Sequence, residues 1–120
     1  MKRNVIEAAV SLATSVFNVR SHHGAVIFTR DKIIGRGYNK KIKGFSELFT
    51  LHAEYCALSN ARDKYPDEVT GSFCLVIRLN KRGNLTNSMP CNNCIASLRA
   101  AGVKKVFYSV SGGEIKEMKL

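Results

Sequence analysis

Four residues whose side chains bind metals or carry protons stand in two short motifs of this chain. His52 and Glu54 belong to His52-Ala53-Glu54, and Cys91 and Cys94 belong to Pro90-Cys91-Asn92-Asn93-Cys94. Zinc prefers imidazole nitrogen and thiolate sulfur, usually in tetrahedral geometry. Two cysteines three residues apart face the same side of a helix. We therefore expect His52, Cys91 and Cys94 to bind one zinc ion.

The number of ligands indicates which kind of zinc site this is. The sequence offers no convincing fourth protein ligand, since the only soft candidates are isolated residues, namely His22, His23, Cys56 and Cys74. Structural zinc sites are closed by four protein ligands, whereas catalytic sites leave one position for water. Zinc can lower the pKa of its bound water to about 7, so we expect a catalytic site with a nucleophile available at neutral pH.

Glu54 is the candidate proton carrier. It follows His52 by two residues, roughly 200° around an ideal helix, so it is a poor ligand for the same metal and could reach the substrate side instead. A carboxylate there could act as general acid and base. Two other interpretations are a catalytically silent zinc module that binds nucleic acid and a redox C-x-x-C protein. The first has no need of Glu54, and the second does not require the His52 motif.

Hydrophobic periodicity and turn residues predict the elements that position these motifs. The order is α-β-β-α-β-α-β-β, which is typical of a layered α/β sandwich. The last two strands are separated only by Ser111-Gly112-Gly113, which is too short for a parallel crossover, so they should form an antiparallel hairpin. Thr50 is the predicted cap of the second helix and Gly102 the residue that ends the third. The predicted helices are 3–18, 51–63 and 92–101, and the predicted strands are 24–29, 33–38, 73–79, 103–110 and 114–119.

Length, charge and cysteine content set the broad class of the protein. The 120 residues predict one domain, 1–120, and no apolar run approaches the roughly 20 residues of a membrane helix. Met1-Lys2-Arg3 begins like a signal peptide, but Glu7 interrupts the apolar stretch. Four cysteines without a secretion signal then predict a cytoplasmic protein. The net charge of +10 favours anionic partners without choosing among them.

The sequence resembles the cytidine and deoxycytidylate deaminase superfamily, whose signature is H-x-E…P-C-x-x-C. Beyond the two motifs, HAEYCAL is similar to the family's metal-binding helix, GAVIFTRDKIIGRGYN to its first hairpin, and CIASLRAAGVKKVFYS to the helix and strand after the cysteines. The resemblance runs from about Val5 to Tyr108. It implies a three-layer α-β-α sandwich around a five-stranded mixed sheet.

The resemblance also implies a role for each matching residue. His52, Cys91 and Cys94 correspond to the zinc ligands and Glu54 to the general acid and base. The residues expected to bind substrate are Asn39, which would contact the sugar, Ala53, whose backbone N–H would face the base, and Pro90.

The function predicted on this basis is hydrolytic deamination of cytosine to uracil in a free pyrimidine nucleoside or nucleotide, by a homo-oligomer whose pocket lies near an interface. The alternative is deamination of single-stranded DNA or RNA, which the net charge favours and the absence of tryptophan disfavours. Ser88-Met89 stands where tRNA-adenosine deaminases usually carry glutamate, which argues against that substrate. Lys40, Lys41 and Lys43 could meet a phosphate or simply solvate a loop, and His23 could approach the pocket.

Overall fold

The computed structural model describes residues 1–16, 21–41 and 50–120. The helices are α1 (Arg3–Thr14), α2 (Ala53–Lys64) and α3 (Asn92–Ala100), with a short 3-10 turn at Pro66–Glu68. The strands are β1 (His22–Phe28), β2 (Ile33–Tyr38), β3 (Lys40–Lys41), β4 (Thr50–Leu51), β5 (Phe73–Leu79), β6 (Leu85–Thr86), β7 (Lys105–Ser109) and β8 (Ile115–Lys119).

Five strands form the main sheet, in the order β2-β1-β5-β7-β8. The β5–β7 pair is parallel and the other neighbours are antiparallel, so the predicted five-stranded mixed sheet is confirmed. The predicted hairpin is also confirmed, because β7 and β8 pair antiparallel from Lys105↔Lys119 to Ser109↔Ile115. The two-residue strand β6 pairs antiparallel with the end of β5 as a short sixth strand, and β3 and β4 pair separately. These short pairs were not predicted, since two residues are too few to show a hydrophobic period.

The helices cover the two faces of this sheet, which confirms the three-layer arrangement. Strands β1 and β5 contribute to both cores because their sequences are nearly continuous apolar runs. The core under α1 contains Val5, Ala9, Ala13, Val26, Leu75 and Ile77. The core under α2 and α3 contains Ala25, Ile27, Ala57, Leu58, Val76, Leu98 and Val106.

The predicted start of the second helix was wrong. Thr50 and Leu51 form strand β4, paired with Lys41 and Lys40, and keep the chain extended up to His52. His52 is the N-cap, with φ −70° and ψ 148°, and no side-chain hydrogen bond caps the helix. Thr50 therefore does not cap α2. This shift places His52 at the junction between an extended segment and the helix.

Strands β2 and β5 have the predicted boundaries, whereas several other boundaries differ from the prediction by a few residues. Helix α1 ends at Thr14, whose hydroxyl bonds the carbonyl of Val10 at 2.8 Å, rather than at residue 18. Helix α3 ends at Ala100, and Gly102 supplies the positive φ of +90° that follows it. Strand β1 begins two residues earlier than predicted, and β7 is shorter at both ends. No helix in the described ranges is long and apolar enough to cross a membrane.

Two glycines of β2 let α2 lie directly on the sheet. A Cβ on Gly37 would stand 2.3 Å from the backbone nitrogen of Ala57 and 2.6 Å from the carbonyl oxygen of Ala53. A Cβ on Gly35 would stand 2.3 Å from the carbonyl oxygen of Ala57. Side chains at these positions would push the helix away from the strand. The two glycines therefore determine how closely the first turn of α2 lies on the sheet.

Candidate active site

The two sequence motifs meet at the starts of α2 and α3. His52 is the N-cap of α2, Cys91 is the N-cap of α3, and Cys94 lies in the first turn of α3. Their ligand atoms all lie within 4.8 Å of one another. The Nδ1 atom of His52 is 3.2 Å from the Sγ of Cys94 and 3.7 Å from the Sγ of Cys91. The fold thus brings together the three residues that the sequence predicted as metal ligands.

These separations match those of a tetrahedral zinc site. With Zn–N near 2.0–2.1 Å and Zn–S near 2.3 Å, tetrahedral angles place nitrogen and sulfur about 3.5 Å apart, between the two measured distances. Within residues 1–16, 21–41 and 50–120, no further His, Cys, Asp or Glu joins this group. Cys56 is half-buried and Cys74 is buried, and neither belongs to the cluster. The residues present therefore fit zinc with a position left open.

The environment of Cys94 favours a bound cation. Burial raises the pKa of its thiol, and the nearby Glu54 carboxylate raises it further. A thiolate at this place accordingly needs a positive charge to stabilise it. The free N–H groups at the start of α3 supply part of that charge through the helix dipole, and a metal ion would supply the rest.

Glu54 lies beside this group without belonging to it. Its side chain is buried, with 5% exposure, although it stands in the first turn of α2. Burial raises the pKa of its carboxyl, while its own backbone N–H, the charge of His52 and a hydrogen bond from the Cys94 thiol lower it. A carboxyl whose pKa is raised by burial suits a group that both accepts and releases a proton.

A cavity of about 210 Å³ opens on this cluster. Two of the predicted substrate-binding residues, Asn39 and Ala53, are on its walls, and both are buried. Pro90 is buried next to Cys91 but is not on these walls. The volume is below the ~300–1,000 Å³ of drug-sized pockets. The residues that line it are Ser21, His23, Asn39, His52, Ala53, Glu54, Ser88, Met89 and Cys91.

The Asn39 side chain links the end of β2 to the start of β1 at the cavity wall. Its Oδ1 accepts the backbone N–H of His23 at 2.9 Å, and its Nδ2 donates to the carbonyl of Ser21 at 2.6 Å. The amide has a second N–H and a second lone pair. Asn39 can therefore fix the start of β1 and still bind a ligand.

The sequence did not single out Ser88 as a cavity residue. Its hydroxyl donates to the carbonyl of Val76 at 2.8 Å and accepts the backbone N–H of Ser109 at 2.8 Å. Ser109 in turn donates to the carbonyl of Thr86 at 2.7 Å. This buried network ties the segment before Cys91 to β5 and β7. A loop serine carries no periodic signal, so only the tertiary structure reveals it.

The remaining candidates from the sequence are His23 and the lysines that follow Asn39. His23 does reach the cavity, and burial lowers its pKa to about 4, assisted by the charges of Arg78, His52 and His22. The Lys40 ammonium lies 5.1 Å from the centre of the Tyr38 ring. Lys43 lies outside the described residues.

An open three-ligand metal site beside a buried carboxylate, on a mixed α/β sheet, defines a metal-dependent hydrolase of the deaminase class. The sequence profile described as "Cytidine and deoxycytidylate deaminase zinc-binding region" matches residues 1–110. The chain therefore belongs to the cytidine and deoxycytidylate deaminase family, whose members are zinc-dependent hydrolytic deaminases.

Solved structures agree with this assignment. The dCMP deaminase from the cyanophage S-TIM5, in complex with dCMP and dUMP, is similar at 27% identity and a TM-score of 0.67, over 90% of this chain and 82% of that chain. The cytidine deaminase from Burkholderia pseudomallei has 20% identity and a TM-score of 0.74, over 99% of this chain and 93% of that chain, which supports the fold. No curated protein matches the chain.

Proposed function

We propose that this protein deaminates cytosine to uracil, hydrolytically, in a free pyrimidine nucleoside or nucleotide. The observation that carries the proposal is the convergence of His52, Cys91, Cys94 and Glu54 on one small cavity. The similarity to a dCMP deaminase that is 27% identical supports a pyrimidine nucleotide as the substrate. We also propose that residues 1–120 work as one deaminase domain.

In this proposal each residue of the cluster has one task. His52, Cys91 and Cys94 hold zinc. When bound, zinc supplies an activated water that can act as a nucleophile at neutral pH. Glu54 takes a first proton from the attacking water and delivers it to the ring nitrogen as the C4–O bond forms. It then takes the second proton, from the hydroxyl now on C4, and delivers it to the amino group, which leaves as ammonia when the C4–N bond breaks. Its buried position beside the cavity supports this role.

Asn39, Ala53 and Pro90 would orient the substrate. Ala53 is the first residue of α2, where backbone N–H groups have no partner within the helix, so its N–H can donate to an oxygen of the base. Asn39 has hydrogen-bonding capacity left for a sugar hydroxyl. Pro90 acts indirectly, because its ring holds the chain extended into Cys91 at the start of α3.

Single-stranded DNA or RNA is the alternative substrate, favoured by the net charge of +10. The described walls of the cavity enclose only about 210 Å³, which favours a small substrate. A silent zinc module would not need Glu54 buried beside the metal ligands, at a desolvation cost.

The deciding experiment measures ammonia released from cytidine, deoxycytidine, their monophosphates, adenosine, guanine compounds and short oligonucleotides at several salt concentrations. We expect turnover of a free cytosine compound with a shallow salt dependence. Each phosphate contact with a single strand adds about −0.7 to the slope of log affinity against log salt. If oligonucleotides react far faster than every monomer and their turnover collapses with salt, the polynucleotide alternative replaces this proposal.

We further propose that the protein is a homo-oligomer in the cytoplasm. Leu51 and Tyr55 are exposed apolar residues, at 39% and 52%, and both line an apolar groove between α2 and α3 next to His52. Burying such a patch against a second copy would remove apolar area from water. A reducing compartment would keep Cys91 and Cys94 from forming disulfides, so that both stay available to bind the metal. Light scattering of the purified protein tests the first statement, and a monomer at micromolar concentration would contradict it.

A further inference from the structure

Three polar residues lie side by side across the sheet at the edge where the cavity opens. Asn39 follows β2, His23 lies in β1, and Arg78 of β5 is the register partner of His23. Asn39 and His23 are joined by the 2.9 Å hydrogen bond between the asparagine oxygen and the histidine backbone N–H. Asn39 and His23 line the cavity, and Arg78 is the next residue in the row.

The Arg78 side chain projects from the face of the sheet that carries the active site. Alternate residues of a strand point to the same face. Cys74 and Val76 belong to the core under α2 and α3, so Arg78 shares their face. The hydroxyl of Ser88, a cavity residue, bonds the carbonyl of Val76 two residues before Arg78. Arg78 therefore lies between His23 and the segment that leads to Cys91.

Among the residues that the structure describes, the Arg78 guanidinium has neither a hydrogen-bond acceptor for its Nε atom nor a carboxylate in a salt bridge. Its Nε is buried and makes no hydrogen bond to any of them. The salt bridges described join Lys32 to Glu68 and Lys105 to Glu117. Buried donors in proteins nearly always have a partner. A buried guanidinium nitrogen that no described residue pairs, next to a residue of the cavity wall, points to a ligand that carries negative charge.

The field of this cation extends to the cavity wall. After burial, the charge of Arg78 is the next largest cause that lowers the pKa of His23. Glu54, the acidic residue on the cavity walls, is already adjacent to the metal ligands. The positive charge of Arg78 therefore acts on the part of the cavity wall formed by His23, whereas the carboxylate of Glu54 lies beside His52 and Cys94.

We propose that Arg78, together with His23, binds the phosphate group of a nucleotide substrate. The planar guanidinium presents paired donors that match two phosphate oxygens, and the imidazole adds a third donor. This inference rests on the proposed function, since it selects the nucleoside monophosphate from the cytosine compounds named there. The same phosphate chemistry could come from the backbone of a polynucleotide, and the experiment separates the two sources.

The test compares zinc-loaded wild-type protein with Arg78→Gln, using deoxycytidine 5′-monophosphate and deoxycytidine as paired substrates. We expect the wild type to have a lower KM for the monophosphate. In Arg78→Gln the KM for the monophosphate should rise about 10- to 100-fold, because a hydrogen bond to a charged group is lost. The rise in the KM for deoxycytidine should be at least tenfold smaller. Arg82→Gln, at an exposed arginine of the turn after β5, is the control and should behave as wild type.

Several results would overturn the proposal. A wild-type protein that shows no preference for the monophosphate would do so without any variant. Equal losses for both substrates in Arg78→Gln would assign the residue a structural role. If Arg78→Gln folds poorly, Arg78→Lys is used instead, because it keeps the positive charge without the paired N–H donors of the guanidinium. This variant should give an intermediate KM for the monophosphate, and an unchanged KM would also contradict the proposal. A larger loss for oligodeoxycytidylate than for the monophosphate would reassign Arg78 to a polynucleotide backbone.

Failure of the phosphate subsite and failure of the proposed reaction are distinguishable. Calorimetric binding of deoxyuridine 5′-monophosphate against deoxyuridine needs no turnover. If no cytosine compound is deaminated but Arg78→Gln still weakens only the monophosphate, the subsite stands and the reaction does not. If deamination occurs without dependence on phosphate or Arg78, the reaction stands and the subsite does not.

Discussion

The Nδ1 atom of His52 lies 3.2 Å from the Sγ of Cys94, although 42 residues separate them in the chain. Tertiary packing of α2 and α3 on the same face of the sheet brings these atoms together. Purified protein should therefore contain about one zinc per chain. Cys94→Ala should lose most of the metal and much of its stability, because zinc binding is coupled to folding.

The control for the metal prediction is Cys56→Ala. Cys56 is half-buried and lies outside the ligand group, so this variant should retain zinc. Elemental analysis of the three proteins measures the result. Active wild-type protein without zinc, or equal zinc loss in both variants, would contradict the metal assignment.

Glu54→Ala separates the chemistry from the structure. Glu54 is not a metal ligand in this geometry, so the variant should keep its zinc and its fold. Turnover should fall by at least ~10²–10⁴-fold, the usual effect of removing a general acid or base. Ammonia release and zinc content are measured on the same sample. A variant that turns over at the wild-type rate would place the proton carrier elsewhere.

Gly37→Ala tests whether the depth of α2 matters for catalysis. The added Cβ would clash with the backbone of Ala53 and Ala57, under the first turn of the helix. We expect a stability loss of about 1–3 kcal/mol, typical of overpacking, and a fall in kcat. Gly35→Ala is the matched control, because its Cβ would meet the same helix at Ala57 and Ala61, farther from Glu54. Thermal unfolding and kcat should show similar stability losses but a larger activity loss for Gly37→Ala.

The sequence predicted the parts of the fold whose patterns are strong. Strands 33–38 and 73–79 were predicted with the observed boundaries, because a tight polar turn precedes the first and the second is a nearly continuous apolar run. The metal cluster followed from residue types and spacing alone. The antiparallel final pair followed from the shortness of Ser111-Gly112-Gly113, which no parallel crossover could span.

The rest depended on long-range pairing that a single sequence does not display. Strand β4 replaced the expected start of α2, because Thr50 and Leu51 pair with β3. His23 reaches the cavity through the register of β1 with β2 and β5, and Ser88 through its bonds to Val76 and Ser109. Each of these facts is a tertiary contact between segments distant in sequence.

The buried histidine of the cavity predicts a pH dependence of stability. The pKa of His23 is about 4 in the folded protein and about 6.5 when unfolded. Between these values the unfolded chain binds more protons, so the free energy of unfolding should decrease as the pH falls from 6.5 to 4. The full shift corresponds to at most about 3 kcal/mol. The charges that face His23 come from Arg78, His52 and His22.

His23→Gln isolates this contribution from those of the metal ligands, which the variant shares with the wild type. Chemical denaturation at pH 7, 6, 5 and 4 should show a smaller loss of stability in the variant. Above pH 7 the two proteins should respond to pH alike. Parallel curves throughout the acid range would show that His23 does not resist protonation in the folded state.

Isotopic labelling of the product tests the central claim most directly. Zinc-loaded protein is incubated with deoxycytidine 5′-monophosphate and with deoxycytidine in water enriched in ¹⁸O, and the products are analysed by mass spectrometry while ammonia is measured. The account predicts a uracil product that carries one oxygen from water, with an equal amount of ammonia, in at least one of the two reactions. Unlabelled product, or no uracil product from any free cytosine nucleoside or nucleotide, would contradict it.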